Sequence, residues 1–147
     1  MPEIMTTIYT AQEELSKVFI DSDVIVAAYD TVDLLHGAVS DLLPQIEDKK
    51  WIPWVGVNIL IESLTIVSQR VSIKKSLELL DYFFESCEIV FLDEEIINQA
   101  NAIFKKRTSK NVSYSDCISF AIIKSLNIKK VFTFDTHFKS QGFEILN

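Results

Sequence analysis

Glycine and proline are scarce, with three of each in 147 residues. That leaves no room for a flexible or proline-rich linker, and no low-complexity tract or solenoid-period repeat is present, so one compact domain is expected. Cysteine is scarcer still: Cys87 and Cys117 stand far apart without a Cys-x-x-Cys. This argues against a disulfide framework and fits a reducing compartment. With His36 and His137 they make at most one Cys2His2 set, but none of the four has a neighbour at finger spacing, so buried thiols and ordinary histidines are expected. No long apolar run is free of acid, as Glu62 within VGVNILIESLTIV illustrates, and the start MPEIMTTIYTAQEELSK lacks a basic n-region and an apolar h-region. A cytoplasmic protein with no membrane segment is expected. Cations are in the minority, 14 against 21 acids, for a net charge of −7. That sign excludes nucleic-acid binding by bulk electrostatics alone.

What is present is apolar and periodic. Hydrophobic residues make up 48% of the chain, enough for a domain of this size to close its own core. Thr10-Ala-Gln-Glu13 has the form of a capping box opening a short helix that ends near Lys17. Residues 1–17 therefore read as an N-terminal helical extension and 18–147 as the domain proper. KVFID reads as a strand and SDVIVAAYD as a short helix or turn. DLLHGAVSDLLPQIEDKK reads as an amphipathic segment with Leu34, Leu35, Ala38, Leu42 and Leu43 at helical spacing. WIPWV is a second strand, followed by helices VNILIESLTIVSQR and SIKKSLELLDYFFES, the latter started by Ser72 and patterned by Leu77, Leu80, Phe83 and Phe84. Strand CEIVFLD follows. Asp93 and Ser113 are placed to cap EEIINQANAIFKKR and YSDCISFAIIKSLN, and strand KVFTFD, a turn and strand FEIL complete the chain. Short apolar strands alternating with helices predict an α/β fold with a mainly parallel sheet covered on both faces. Ligands bind such sheets beyond the carboxyl ends of the strands, where the strand order reverses.

Four carboxylates belong to that rim. Asp21 ends the first strand and Asp135 holds the same place after VFTF. Glu62 lies three and four residues from Ile59 and Ile66 on its helix, and Asp116 heads the apolar face carrying Phe120 and Ile123, so both are expected to point inward. Each alone has an ordinary structural explanation, as a helix cap, a turn residue or the edge of a stripe. Together, four carboxylates at one rim repel one another and must bind protons or share a cation, and no run of lysines lies inside those elements to neutralise them. Mg²⁺ or Mn²⁺ suits such an oxygen-rich site.

In order and spacing these motifs resemble those of the PIN-domain nucleases, especially the VapC-type toxins of toxin–antitoxin pairs, from Val18 to Leu146. FIDSDVIVAA looks like the family's first motif, ILIESL its second, SYSDCISFAI its third and FTFDTHF its fourth. The resemblance implies a three-layer α/β/α fold around a five-stranded parallel sheet and a metal-dependent endoribonuclease with Asp21, Glu62, Asp116 and Asp135 as ligands. It further implies RNA of the tRNA or rRNA class as substrate, an antitoxin that occludes the acidic site, and a homodimer. Asp23 departs from the pattern, standing where the family usually has Asn. Ser22 and Thr133 are placed to orient a ligand or a water, or equally to make local turn hydrogen bonds. Lys105, Lys106, Arg107 and Lys110, with Lys129 and Lys130, offer phosphate contacts despite the net acidity, although cations at a helix end also complement its dipole. Two other readings stay open. The DSD start fits a haloacid-dehalogenase-like phosphatase with Asp21 as nucleophile and Asp23 as acid/base. The same fold also serves a non-catalytic module that holds RNA or protein.

Overall fold

Val18, Phe19 and Ile20 point alternately to opposite faces of a strand, and all three are at most 2% exposed. A strand buried on both faces belongs in the middle of a covered sheet, and that is where the computed structural model, which describes residues 11–147, places it. Strands β1 (Lys17–Ile20), β2 (Ile52–Gly56), β3 (Glu88–Val90), β4 (Lys130–Phe132) and β5 (Glu144–Leu146) form one sheet in the order β3-β2-β1-β4-β5. Every pairing is parallel. The chain runs outward from β1 to β3, then returns to the other side of β1 for β4. The order therefore reverses between β1 and β4, and the crevice beyond their carboxyl ends is the ligand position for this topology.

The connections are helical: α1 (Ser22–Tyr29), α2 (His36–Leu42), α3 (Pro44–Asp48), α4 (Val57–Arg70), α5 (Ile73–Ser86), α6 (Glu94–Lys106), α7 (Tyr114–Ser125) and α8 (Thr136–Lys139). A helical stretch at 11–16 leads directly into β1. The expected capping residue, Thr10, lies outside the described residues. Helix α7 is buried continuously from Cys117 to Ile123, and Phe120 packs edge-on against Phe138 with ring centroids 4.8 Å apart. Among the described residues no helix is long and apolar enough to cross a membrane.

Three local expectations are corrected. The amphipathic segment breaks into α2 and α3 at Pro44, which starts a new helix more readily than it continues one. Its core residue is Val39, fully buried, whereas Leu34 is 101% exposed and Ala38 is exposed. On α5 the residues facing the core are Leu79 and Phe83, while Leu77 and Phe84 are 56% and 61% exposed. The turn before the last strand contains α8, a single helical turn.

Candidate metal centre at the sheet switch point

Asp21 follows β1 directly and is the N-cap of α1, which fixes its carboxylate at the crevice. Its Oδ1 accepts from the Ser22 backbone N–H at 2.8 Å and its Oδ2 from the Thr133 hydroxyl at 2.8 Å. Asp21 is 5% exposed. Burial, then the charges of Asp23 and Asp116, push its carboxyl up to about 8 against an ordinary 3.8, with the two hydrogen bonds opposing. Asp23 is clamped by backbone: Oδ1 accepts from Val24 N–H at 2.7 Å and Oδ2 from Phe134 N–H at 2.9 Å, tying α1 to the segment after β4. Burial, with the charges of Asp135 and Asp33, raises it to about 6 while the amide bonds pull it down.

Asp116 is held by the capping box of α7. Ser113 Oγ accepts from Asp116 N–H at 3.0 Å, and Asp116 Oδ2 accepts from Ser113 N–H at 2.8 Å. It is half-buried, and burial together with Asp135 raises its proton affinity despite the Ser113 bonds and the lowering influence of His137. Asp135 is the N-cap of α8, and its Oδ1 accepts from His137 N–H at 2.9 Å and lies 2.7 Å from His137 Nδ1. Its own N–H donates to Thr133 Oγ1 at 3.0 Å. Thr133, fully buried, therefore joins the acid after β1 to the acid after β4.

Glu62 departs from expectation. Ile59, Ser63 and Val67 form the buried stripe of α4, and Glu62 lies at its edge, exposed and without a hydrogen bond among the described residues. Asp21, Asp23, Asp116 and Asp135 feel one another's charges, and Glu62 is not among the groups that perturb them. No three Asp, Glu, His or Cys among the described residues converge closely enough to enclose an ion by themselves.

Two participants are not evident in the sequence. Asn58 Nδ2 donates to Ser115 O at 3.0 Å, Ser115 Oγ at 3.0 Å and Ser119 Oγ at 3.1 Å, which binds the helix of Glu62 to the helix of Asp116. Gly56 makes room for it: a Cβ there would collide with Asn58 Oδ1 and stand 2.6 Å from Ile122 Cδ1. His137 is the second, and its only sequence signal is its place two residues after Asp135.

The predicted basic cluster divides. Lys105 and Lys106 lie in the last turn of α6, and Arg107 caps it, with Nη1 donating to Phe104 O at 2.7 Å and the guanidinium 3.5 Å from the centre of the Phe104 ring. Lys106, Arg107, Lys124 and His137 line one groove of about 420 Å³, which adjoins the acids through His137, 2.7 Å from Asp135 Oδ1, while Lys110 lies outside it. Lys130 starts β4 at the sheet edge opposite the acids, where its Nζ donates to Leu15 O at 2.7 Å. It and its neighbour Lys129 are therefore not placed to meet a phosphate at the rim.

A parallel sheet with carboxylates gathered where its strand order reverses defines an α/β protein with an oxygen-donor site. The family model of the PIN domain matches residues 18–144, and the chain belongs to the PIN domain family. A sequence comparison with curated proteins gives no match. Among solved structures the chain is similar to VapC20 of Mycobacterium tuberculosis, a sarcin-ricin loop cleaving toxin, at 19% identity and a TM-score of 0.76, covering 86% of this chain and 95% of that one. It is also similar to VapBC2 from Rickettsia felis bound to a promoter DNA fragment, at 16% identity and a TM-score of 0.65, covering 89% and 98%. FitAcB from Neisseria gonorrhoeae shares 20% identity and a TM-score of 0.61, covering 88% and 96%. These likenesses establish the fold. The match to the PIN family model over residues 18–144 takes away the ground for the phosphatase reading of the DSD start.

Proposed function

We propose that the chain is a divalent-metal-dependent endoribonuclease, acting on RNA of the tRNA or rRNA class as the toxin of a toxin–antitoxin pair. The observation that carries this reading is Asp21, a nearly fully buried acid at the switch point, with Asp23 and Asp116 beside it. None of the three has a lysine, arginine or histidine within ion-pair distance among the described residues, whereas Asp135 Oδ1 lies 2.7 Å from His137 Nδ1.

The donor set suits Mg²⁺ or Mn²⁺, since every candidate donor atom is a carboxylate oxygen. Such ions keep several waters and take only one or two carboxylates directly, so the lack of three converging ligands does not count against them. Asp21, Asp116 and Asp135 are the residues that would hold the ion, directly or through its waters, with Glu62 reaching it through water. When bound, the ion supplies an acidified water and a counter-charge for the phosphoryl oxygens.

The chain's own groups do the rest. Thr133 fixes the spacing of the acids after β1 and β4, Ser22 lends its N–H to Asp21, and Asp23 locks the segment after β4 through Phe134. Lys106, Arg107 and Lys124 place positive charge in the groove that adjoins Asp135 through His137, where a backbone phosphate of the substrate would lie. An RNA substrate and an antitoxin rest on family membership and on the toxins and toxin–antitoxin assemblies among the structural neighbours.

Incubation of mixed tRNA and rRNA with purified protein in Mn²⁺, Mg²⁺ or EDTA, beside a folded Asp116→Asn variant, tests the reading. Discrete fragments that require metal and vanish in the variant are expected. RNA that is bound tightly but left intact would favour the binding-module reading, and cleavage that persists in EDTA would end the metal-centred one.

A further inference from the structure

The groove beside His137 offers more than phosphate contacts. It lies between the end of α6, the far half of α7 and the segment of α8, and its volume of about 420 Å³ falls in the range of pockets that hold one small ligand. Its floor is apolar, formed by Ile103, Val112 and the fully buried ring of Phe120. Its rim is polar: Lys106, Arg107, Lys124 and Gln141 all reach it. No aspartate or glutamate is among the described residues that line it, although acids outnumber cations by 21 to 14 in the chain. Asp135 adjoins it through His137.

The polar groups are already oriented. Lys124 Nζ donates to Gln141 Oε1 at 2.8 Å, which fixes the amide and leaves the two N–H groups of Nε2 for another acceptor. Arg107 is stacked on Phe104, its guanidinium 3.5 Å from the ring centre and its Nη1 donating to Phe104 O at 2.7 Å. Phe104 does not line the groove, so the guanidinium presents there its other face and its remaining N–H groups. A planar cation covered on one side is a stacking platform for a nucleobase on the other. All four rim side chains offer donors, and a ligand must answer with acceptors.

We propose that this groove holds one unstacked guanine nucleotide of the RNA strand, its base on the apolar floor and its acceptor edge read by Gln141 and Arg107. The assignment rests on the nuclease reading for the source of its ligand and adds to it the base beside the cleavage site. Guanine carries two adjacent acceptors, N7 and O6, on one edge. Adenine and cytosine place an amino donor there, which would meet donors on the rim, and uracil offers a single acceptor. Adenine could pair with an amide through both of its atoms, but Lys124 already occupies Gln141 Oε1. Lys106 and Lys124 remain to meet the nucleotide's phosphate. A phosphate site alone would need neither the apolar floor nor the oriented amide.

Isothermal titration calorimetry of the full chain in EDTA with GMP, AMP, UMP and inorganic phosphate tests the site without calling on cleavage. GMP is expected to bind about tenfold more tightly than AMP or UMP, and phosphate more weakly than any of them. A short unpaired RNA with one guanosine should bind more tightly than GMP, whereas a free nucleotide favoured over it would overturn the assignment to the strand. Gln141→Leu keeps the size and removes the donors, and should bring GMP down to the AMP value. Arg107→Lys keeps the charge and loses the fork, and should weaken GMP about fivefold, with far-UV circular dichroism unchanged in both. Equal binding of the three nucleotides, or phosphate binding as tight as GMP, would overturn the base site. A guanine preference intact in both variants would overturn the roles of Gln141 and Arg107. RNA left uncut by a chain that prefers GMP would count against the nuclease reading alone and uphold the groove. RNA cut by a chain with no preference for GMP would do the reverse.

Discussion

The Thr133 hydroxyl donates to Asp21 across 112 residues of chain, 2.8 Å from Oδ2. Thr133 Oγ1 in turn accepts from the Asp135 backbone N–H, so one side chain gauges the distance between the acids that follow the two central strands. Replacement by Val, nearly the same shape, removes both bonds and leaves a buried Asp21 oxygen unpaired. Thr133→Val is expected to cost about 1–3 kcal/mol in urea unfolding and to weaken Mn²⁺ binding about tenfold by isothermal titration calorimetry. Thr133→Ser should recover most of both.

Stability should depend on pH in a direction opposite to that of most acid-rich proteins. Asp21 and Asp23 hold their protons to about 8 and about 6 in the folded chain, against 3.8 ordinarily. Between roughly pH 4 and 8 the folded state therefore binds more protons than the unfolded state, and metal-free stability falls as pH rises through that window. Each unit of displacement corresponds to about 1.4 kcal/mol. Thermal melts in EDTA should show Tm declining from pH 5 to pH 8, with a shallower decline in Asp21→Asn. Mn²⁺ should raise Tm more at pH 8 than at pH 5, because it replaces protons the site holds at the lower pH.

Gly56 and Asn58 set the relation between α4 and α7. Asn58→Ala deletes three hydrogen bonds to Ser115 and Ser119 and should destabilise by about 1–3 kcal/mol. Gly56→Ala forces a Cβ against Asn58 Oδ1 and Ile122 Cδ1, and a loss of similar size is expected. Both are read from urea midpoints, and Tm values should fall in parallel.

Glu62 offers the contrasting case. It is exposed and unbonded, so Glu62→Gln should shift unfolding free energy by less than about 0.5 kcal/mol. If it reaches the ion through water, the same change lowers RNA cleavage at least about tenfold. An unchanged cleavage rate would remove Glu62 from the site.

The parts legible in the sequence are those with local causes. Strand identities, the caps at Asp93 and Ser113, and the ordered acids could be read because each depends on a few adjacent residues. The placement of Glu62 could not, since a wheel position at the margin of a stripe turns inward or outward according to the neighbour packed there. Nor could the bonds Asn58–Ser115, Asp23–Phe134 and Thr133–Asp21, which join residues 57, 111 and 112 apart. The exposed side of α5 misled for a related reason: apolar periodicity does not distinguish a face buried in the chain from one left exposed.

Strand β1 is made early and completed late. Its partner β4 begins at Lys130, and Thr133 and Asp135 follow, more than 100 residues after β1. A chain still in synthesis, ending before Ile128, presents β1 with one edge unpaired and Asp21 without its hydroxyl donor. The acidic crevice thus closes only once β4 and the residues just after it are delivered, so any shorter chain would carry Asp21 without the hydroxyl that holds it.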